Sequence, residues 1–326
     1  MSAVRQNLAV MTVGIIGVLL AVVAPASSCA PGTYVRSSPT TAFTLEGGGE
    51  PVTPPSSPRS EPLTPRPTGY RMVAADGGVF AFGAADFHGS MSGRPLNRPI
   101  VGMARTPSGR GYWLVASDGG VFAFGDAPFH GSAAGMRLNA PIVGIAHSKF
   151  GSGYWLLGAD GGIFAFGLAG FFGSPAGASS RPMVGIESMG RSNGYWAAAA
   201  DSSVYAYHDP AWLGDGPGRI ESSGKIPLAR PLVGVTSSEF SDGYWLVASD
   251  GGVFTGDGTF GSAGFYGSTV GMALKRPIVG MAGAPAADGY WLAGADGGIF
   301  AFGAAPFLGS TGGKALAAPV VGIAAA

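Results

Sequence analysis

Residues 69–326 predict an all-β fold, a six-bladed β-propeller of ~42-residue repeats, on three observations. First, the pair Gly-Tyr recurs at residues 69, 111, 153, 194, 243 and 289, with spacings of 42, 42, 41, 49 and 46 residues. A period in the low forties marks units that cannot bury their own apolar face and must stack on neighbours. Second, each copy holds two β-rich runs around an Asp-Gly-type turn, a strong hairpin signal because a tight turn needs positive φ. Third, 58 Gly and 25 Pro accompany 46% hydrophobic and 11% aromatic residues. Glycine at that density opposes long helices, and the apolar share excludes a disordered low-complexity chain.

Copy two shows the elements in order. Gly111-Tyr112-Trp113-Leu114-Val115-Ala116 is the first run, Asp118-Gly119-Gly120 the turn, and Val121-Phe122-Ala123-Phe124-Gly125 the second run. Period two places Phe122 and Phe124 on one face. Phe129-His130-Gly131-Ser132 predicts a short third strand and Pro141–Ala146 an apolar fourth. Four short strands make one blade. Pro99, Pro141, Pro182, Pro231 and Pro277 each stand 12 residues before the next Gly-Tyr. The two long periods are local insertions: seven residues between Asp215 and Pro231, and four between Asp250 and Phe265. The first copy has no Pro-Ile-Val-Gly run before it, and the last ends on Pro319–Ala324. That final strand is expected to pair in the first blade, closing the ring and removing exposed sheet edges.

Two segments precede the repeats. Residues 1–29 read as an export signal: Arg5 is followed by 17 uncharged, mostly apolar residues from Leu8 to Ala24 and then by small residues. Three fates are open: cleavage after Ala26, lipoprotein processing that acylates Cys29, or retention as a membrane anchor. Residues 30–68 hold nine prolines among Ser, Thr and Gly. They read as a disordered linker, either a stalk or a tail without a spacing role.

Charge and cysteine content narrow the partners. Nineteen basic and nineteen acidic side chains cancel, which argues against nucleic acid. The single cysteine excludes an internal disulfide and a Cys-based metal cluster.

The unit at Gly111–Gly125, nearly repeated at Gly153–Gly167 and Gly289–Gly303, resembles those of secreted actinobacterial Gly-Tyr-Trp-Leu-Val-Ala-Ser-Asp-Gly-Gly repeat proteins. A weaker similarity runs to propellers of the regulator-of-chromosome-condensation type. The first resemblance implies an extracellular binding or structural role, since such units occur alone or beside cell-wall hydrolases. Three departures set copies apart: Arg71 replaces Trp in copy one, Asp201-Ser202-Ser203 replaces Asp-Gly-Gly in copy four, and Thr255-Gly256 replaces Ala-Phe in copy five.

No His-Glu-x-x-His or Cys-x-x-Cys motif occurs. His88 and His130 share a position occupied elsewhere by Phe172, Leu213, Tyr266 and Leu308, which marks a packing site. Asp76, Asp118, Asp160, Asp201, Asp250 and Asp296 recur once per copy. They are turn formers bonding their own backbone, or a ring for calcium or sugar hydroxyls. Trp113, Trp155, Trp196, Trp245 and Trp291 are inter-blade core, or sugar-stacking platforms. Topology places the Asp-Gly turns and the basic blade-to-blade connections on one face. On that mixed-charge face the long loop 215–231 is the candidate binding surface, with Arg219, Lys225, Arg230, Asp209 and Asp215 as candidate ligand residues.

The reading is a non-enzymatic extracellular or cell-surface propeller that binds cell-wall polysaccharide or a surface protein. No cofactor or metal is implied, and the membrane is met only through an N-terminal lipid or anchor. Two alternatives stand: a propeller glycosidase or lyase using Asp201, Asp209, Asp215 and Asp257, and a structural envelope protein.

Overall fold

The computed structural model describes residues 68–326 except 151, 191–192, 210–219, 222–225, 239–242, 259–260 and 286–287. The signal or anchor with Cys29, the linker 30–67, and Asp215, Arg219 and Lys225 therefore lie outside the described residues. The described secondary structure is all β, in six antiparallel sheets.

Each Gly-Tyr run forms the middle strand of a sheet, as at Gly111–Ala116, and each Val-Phe-Ala-Phe-type run forms the outer strand, as at Val121–Gly125. The Pro-Ile-Val-Gly run forms the inner strand of the next copy's sheet, so Ile100–Arg105 pairs with Gly111–Ala116. The six inner strands adjoin one another in a closed circuit: Ile100–Arg105, Ile142–His147, Met183–Ser188, Leu232–Ser237, Ile278–Gly283 and Val320–Ala325, then Ile100–Arg105 again. The result is a six-bladed, propeller-like ring. Its closure is as expected: Val320–Ala325 pairs with Gly69–Ala74, from Tyr70 opposite Ala325 to Ala74 opposite Val320. Glycine of the Pro-Ile-Val-Gly run sits where inner strands crowd the axis. A Cβ on Gly144 would stand 3.2 Å from Ile186 Cγ2.

The hairpin turns are as predicted. Gly119 has a φ of 83° and the Asp118 carboxylate accepts a 3.0 Å hydrogen bond from Gly120 N. The same Asp-to-backbone bond occurs at Asp76, Asp160, Asp201, Asp250 and Asp296. The six aspartates are thus turn formers.

The predicted third strand is corrected. Phe129–Ser132 and its described counterparts in copies one, three, five and six are not strands, and four sheets have three strands. The reason is a tyrosine from the next blade. Tyr112 Oη accepts from His88 N at 3.2 Å and donates to Gly89 O at 2.6 Å, occupying backbone groups that a ladder would need. Tyr70, Tyr154, Tyr195 and Tyr290 do the same. Among the described residues a fourth strand appears in the two sheets whose copies carry insertions: Ile220–Glu221 on Val204–His208, and Gly261–Ser262 on Val253–Gly258.

The core lies between blades. Middle strands are buried along their whole length, as at Gly153–Gly158, which is why they read as continuous apolar runs rather than alternating ones. The five described tryptophans are core, from 0% exposed at Trp155 and Trp291 to 6% at Trp196. Each packs on the tyrosine of the following blade. The ring centroids are 5.3 Å apart for Trp113–Tyr154, 5.0 Å for Trp155–Tyr195, 4.9 Å for Trp196–Tyr244, 5.4 Å for Trp245–Tyr290 and 5.0 Å for Trp291–Tyr70. The last pair joins the two ends of the ring. The sixth place belongs to Arg71, whose guanidinium lies 5.2 Å from the Tyr112 ring centre.

Candidate functional site

The two faces of the ring differ. On the turn face, acids and bases do meet as topology predicts. Asp250 shares a hollow with Arg230, Lys275 and Arg276, and Asp296 shares the next with Arg276 and Lys314. Of the candidate ligand residues, only Arg230 and Asp209 are described, and the structure separates them. Arg230 precedes the inner strand Leu232–Ser237 beside the turn, since Pro231 O accepts from Ser249 N. Asp209 follows the far end of Val204–His208, where its N–H donates to Asn193 O. They sit on opposite faces, because an antiparallel strand carries the chain from one face to the other.

The opposite face holds a small cavity on the axis, about 80 Å³, lined by residues from all six inner strands. That is room for two or three waters at ~30 Å³ each. Its polar groups come from neighbouring blades: Arg105, His147 with the adjacent Lys149, Glu187, and Thr236 with Ser237. Blades six and one contribute Ala282, Gly283, Ala324 and Ala325 at the same strand ends. The Glu187 carboxylate accepts from Ser188 N at 3.0 Å and from Ser188 Oγ at 3.2 Å. Burial raises its carboxyl above the ordinary value, against the pull of Lys149, Ser188 and Arg105. Burial, reinforced by the charges of Arg105 and Lys149, lowers the His147 imidazole from 6.5 to about 3.

This arrangement predicts an acid-side instability. A histidine whose folded value is depressed contributes stability above its unfolded value near 6.5, and loses it as pH falls toward 3. Glu187 acts in the opposite sense: its raised carboxyl contributes below the unfolded value and loses that contribution as pH rises. Replacing His147 by Gln is expected to flatten the fall in Tm between pH 6.5 and 4 while leaving the Glu187 trend in place. Equal acid-side slopes for the two proteins in a thermal scan would rule out His147 as the source.

The rim carries a repeated aromatic. Phe87, Phe129, Phe171, Phe265 and Phe307 occupy one position in five blades and are 59%, 61%, 61%, 60% and 61% exposed. Each stands just before the residues clamped by a neighbouring tyrosine hydroxyl, so its backbone is fixed from the next blade. The residue after each Phe turns inward instead. His88 packs against Gly125 and His130 against Gly167, as expected for packing positions. Trp212 holds the Phe position in copy four, outside the described residues.

Local pattern hides these features. The axial cluster is visible only when strand ends are compared across copies: Arg105 and His147 share a position that is Ser188, Ser237, Gly283 and Ala325 elsewhere, and Glu187 stands one residue earlier, where other copies have Ala or Thr236. The rim Phe repeats as faithfully as the buried Trp, so repetition does not separate exposed from buried. Among the described residues, no three His, Cys, Asp or Glu side chains are grouped to hold a metal ion.

No family model matches the chain, and no curated protein sequence matches it. A similar solved structure, described as that of U3-55K, has a TM-score of 0.43 and 12% identity over 64% of this chain. This chain spans 62% of that one.

Proposed function

We propose that the chain is an exported, non-enzymatic β-propeller of the Gly-Tyr-Trp-Leu-Val-Ala-Ser-Asp-Gly-Gly repeat kind, held at the cell surface by its N-terminal segment or released. It binds cell-wall glycan along its rim. The observation that carries this reading is the set of five equivalent phenylalanines, each about three-fifths exposed on a clamped backbone. An exposed aromatic face stacks on the C–H face of a pyranose ring. One such contact is weak, but equivalent sites around one ring multiply affinity on a polymer, by ~10²–10⁴ where geometry allows simultaneous engagement.

The same rim suits an apolar surface of a partner protein, and a lattice-forming envelope protein would use it between copies. The enzyme reading is weaker. Asp201 stands at the turn before Val204–His208 and Asp209 after its far end. At ~3.3 Å per strand residue they lie well beyond the roughly 5–10 Å of a glycosidase acid/base pair.

The test is sedimentation of the purified chain with insoluble cell wall across a salt series. The expected result is saturable binding that persists at high salt, since stacking is not screened. Alanine at all five phenylalanines should reduce that binding at least ten-fold and leave Tm nearly unchanged. Undiminished binding by the five-fold variant, or binding that salt abolishes, would overturn the proposal.

A further inference from the structure

The second blade carries a feature that the repeat does not require. The turn Thr106–Arg110 joins its inner and middle strands, and Asp126 follows its outer strand. The Asp126 position is Ala84, Leu168 and Ala304 in copies one, three and six and an aspartate again, Asp209, in copy four; the Thr106 and Ser108 hydroxyls that hold Asp126 belong to copy two. Asp126 Oδ1 accepts from Thr106 Oγ1 at 2.9 Å, and Oδ2 accepts from Ser108 Oγ at 2.6 Å. Arg110 Nε lies 3.5 Å from Oδ2. Thr106 is itself fixed, 3% exposed and accepting from Gly111 N at 3.1 Å. The carboxylate is therefore held in one orientation, yet its side chain remains 36% exposed. These bonds, the one from Ser108 above all, keep its carboxyl below the usual value and hence ionised.

This carboxylate lines a cleft of about 440 Å³ between blades two and three. Small-molecule sites run from ~300 to 1,000 Å³. Across the cleft stands Phe150, 51% exposed, from the corresponding turn of blade three. Pro107, Pro128 and the edge of Trp113 complete the apolar wall, and the Trp113 indole N–H donates to Pro128 O at 2.8 Å. Lys149 also lines the cleft, beside Phe150. A fixed acceptor pair with an aromatic wall suits a pyranose, with vicinal hydroxyls donating to the carboxylate and a C–H face on the ring, and the lysine adds a donor for a further sugar oxygen.

We propose that the cleft between blades two and three is a monosaccharide subsite, in which Asp126 accepts from vicinal hydroxyls and Phe150 stacks on the pyranose face. It deepens the glycan-binding reading above, on which it rests, but uses none of the rim phenylalanines. It also adds a site in blade two that recognises a particular sugar, where the rim recognises a polymer.

The test is titration of the full chain, ¹⁵N-labelled, with the methyl α-pyranosides of glucose, galactose, mannose and N-acetylglucosamine. Expected is millimolar binding of at least one of these, with amide shifts confined to the turns 106–111 and 148–153. Asp126→Asn and Phe150→Ala should each weaken it at least ten-fold. Phe150 lies outside the Thr106–Ser108–Asp126 network, so its variant remains decisive if the Asn change loosens the turn. No shift with any of the four sugars, shifts located elsewhere, or unchanged affinity in Phe150→Ala would overturn the proposal. The five-fold rim variant should bind the monosaccharide as the wild type does. If it does so while wall binding proves independent of the rim, the rim reading fails and the cleft stands. If the wall is bound through the rim and no monosaccharide binds, only the cleft proposal falls.

Discussion

Deleting Pro319–Ala326 is expected to abolish cooperative folding of the repeat region. These residues supply the inner strand of blade one, paired with Gly69–Ala74 over five register positions. Val320 and Ile323 are 0% and 8% exposed and share a cluster with Tyr70, Met72 and Trp291. Burying two such aliphatic side chains is worth ~1.5–3 kcal/mol each, and each ladder hydrogen bond ~0.5–1.5 kcal/mol. The loss is then on the order of 5–10 kcal/mol, comparable with the whole stability of a typical domain. The deletion also bares the edge of Gly69–Ala74, a template for aggregation. Urea unfolding followed by tryptophan fluorescence reads the outcome. A deletion protein with the wild-type midpoint would show that the ring does not depend on its closing strand.

The second large effect is at Arg71. It is 1% exposed in the place of an inter-blade tryptophan. Its Nε donates to Asp86 O at 2.8 Å, fifteen residues on. Trp113, Trp155 and Trp291 donate to the carbonyls of Pro128, Gly170 and Pro306 at the same separation. Arg71 therefore reproduces the tryptophan's hydrogen bond with a charged side chain. Nη2 reaches Gly109 O at 3.1 Å, and Nη1 is buried without a partner. Burial lowers its pKa from the ordinary arginine value. Replacing a buried charge by an apolar side chain of similar volume is often neutral or stabilising, by ~1–4 kcal/mol. Arg71→Trp is expected to raise Tm, at ~2–4 °C per kcal/mol for a domain of this size. Arg71→Ala, which leaves a cavity and two carbonyls without their donor, should lower stability by ~3–5 kcal/mol. Thermal unfolding of the two variants beside the wild type decides it. A Trp variant less stable than wild type would mean that the Arg71–Tyr112 contact outweighs the buried charge.

The blade count, hairpins, insertion sites and ring closure were legible because each rests on a local signal that repeats. Asp118-Gly119-Gly120 encodes its own turn, and a final Pro-Val-Val-Gly run without a following Gly-Tyr has one unpaired partner, at Gly69. The strand expected at Phe129–Ser132 failed for a non-local reason: its backbone bonds to Tyr154, from the next blade. The same limit applies to the candidate residues. Arg230 and Asp209 are near in sequence, but Arg230 sits beside the turn at Ser249 and Asp209 beside Asn193 at the far end of its strand, on opposite faces.

Sequence by itself determined the period, the order of runs within it, and which copies depart from it, since these follow from residue identity and spacing. Only the tertiary structure decided which repeated aromatic is buried and which exposed. Trp155 and Phe171 recur with equal regularity, yet one is sealed against Tyr195 and the other faces solvent. Only the ring brings Arg105, His147 and Glu187 from three copies to one axis, and Asp126 and Phe150 from two copies to one cleft. Burial and electrostatic environment are properties of neighbours, and in a propeller the decisive neighbours belong to the next blade.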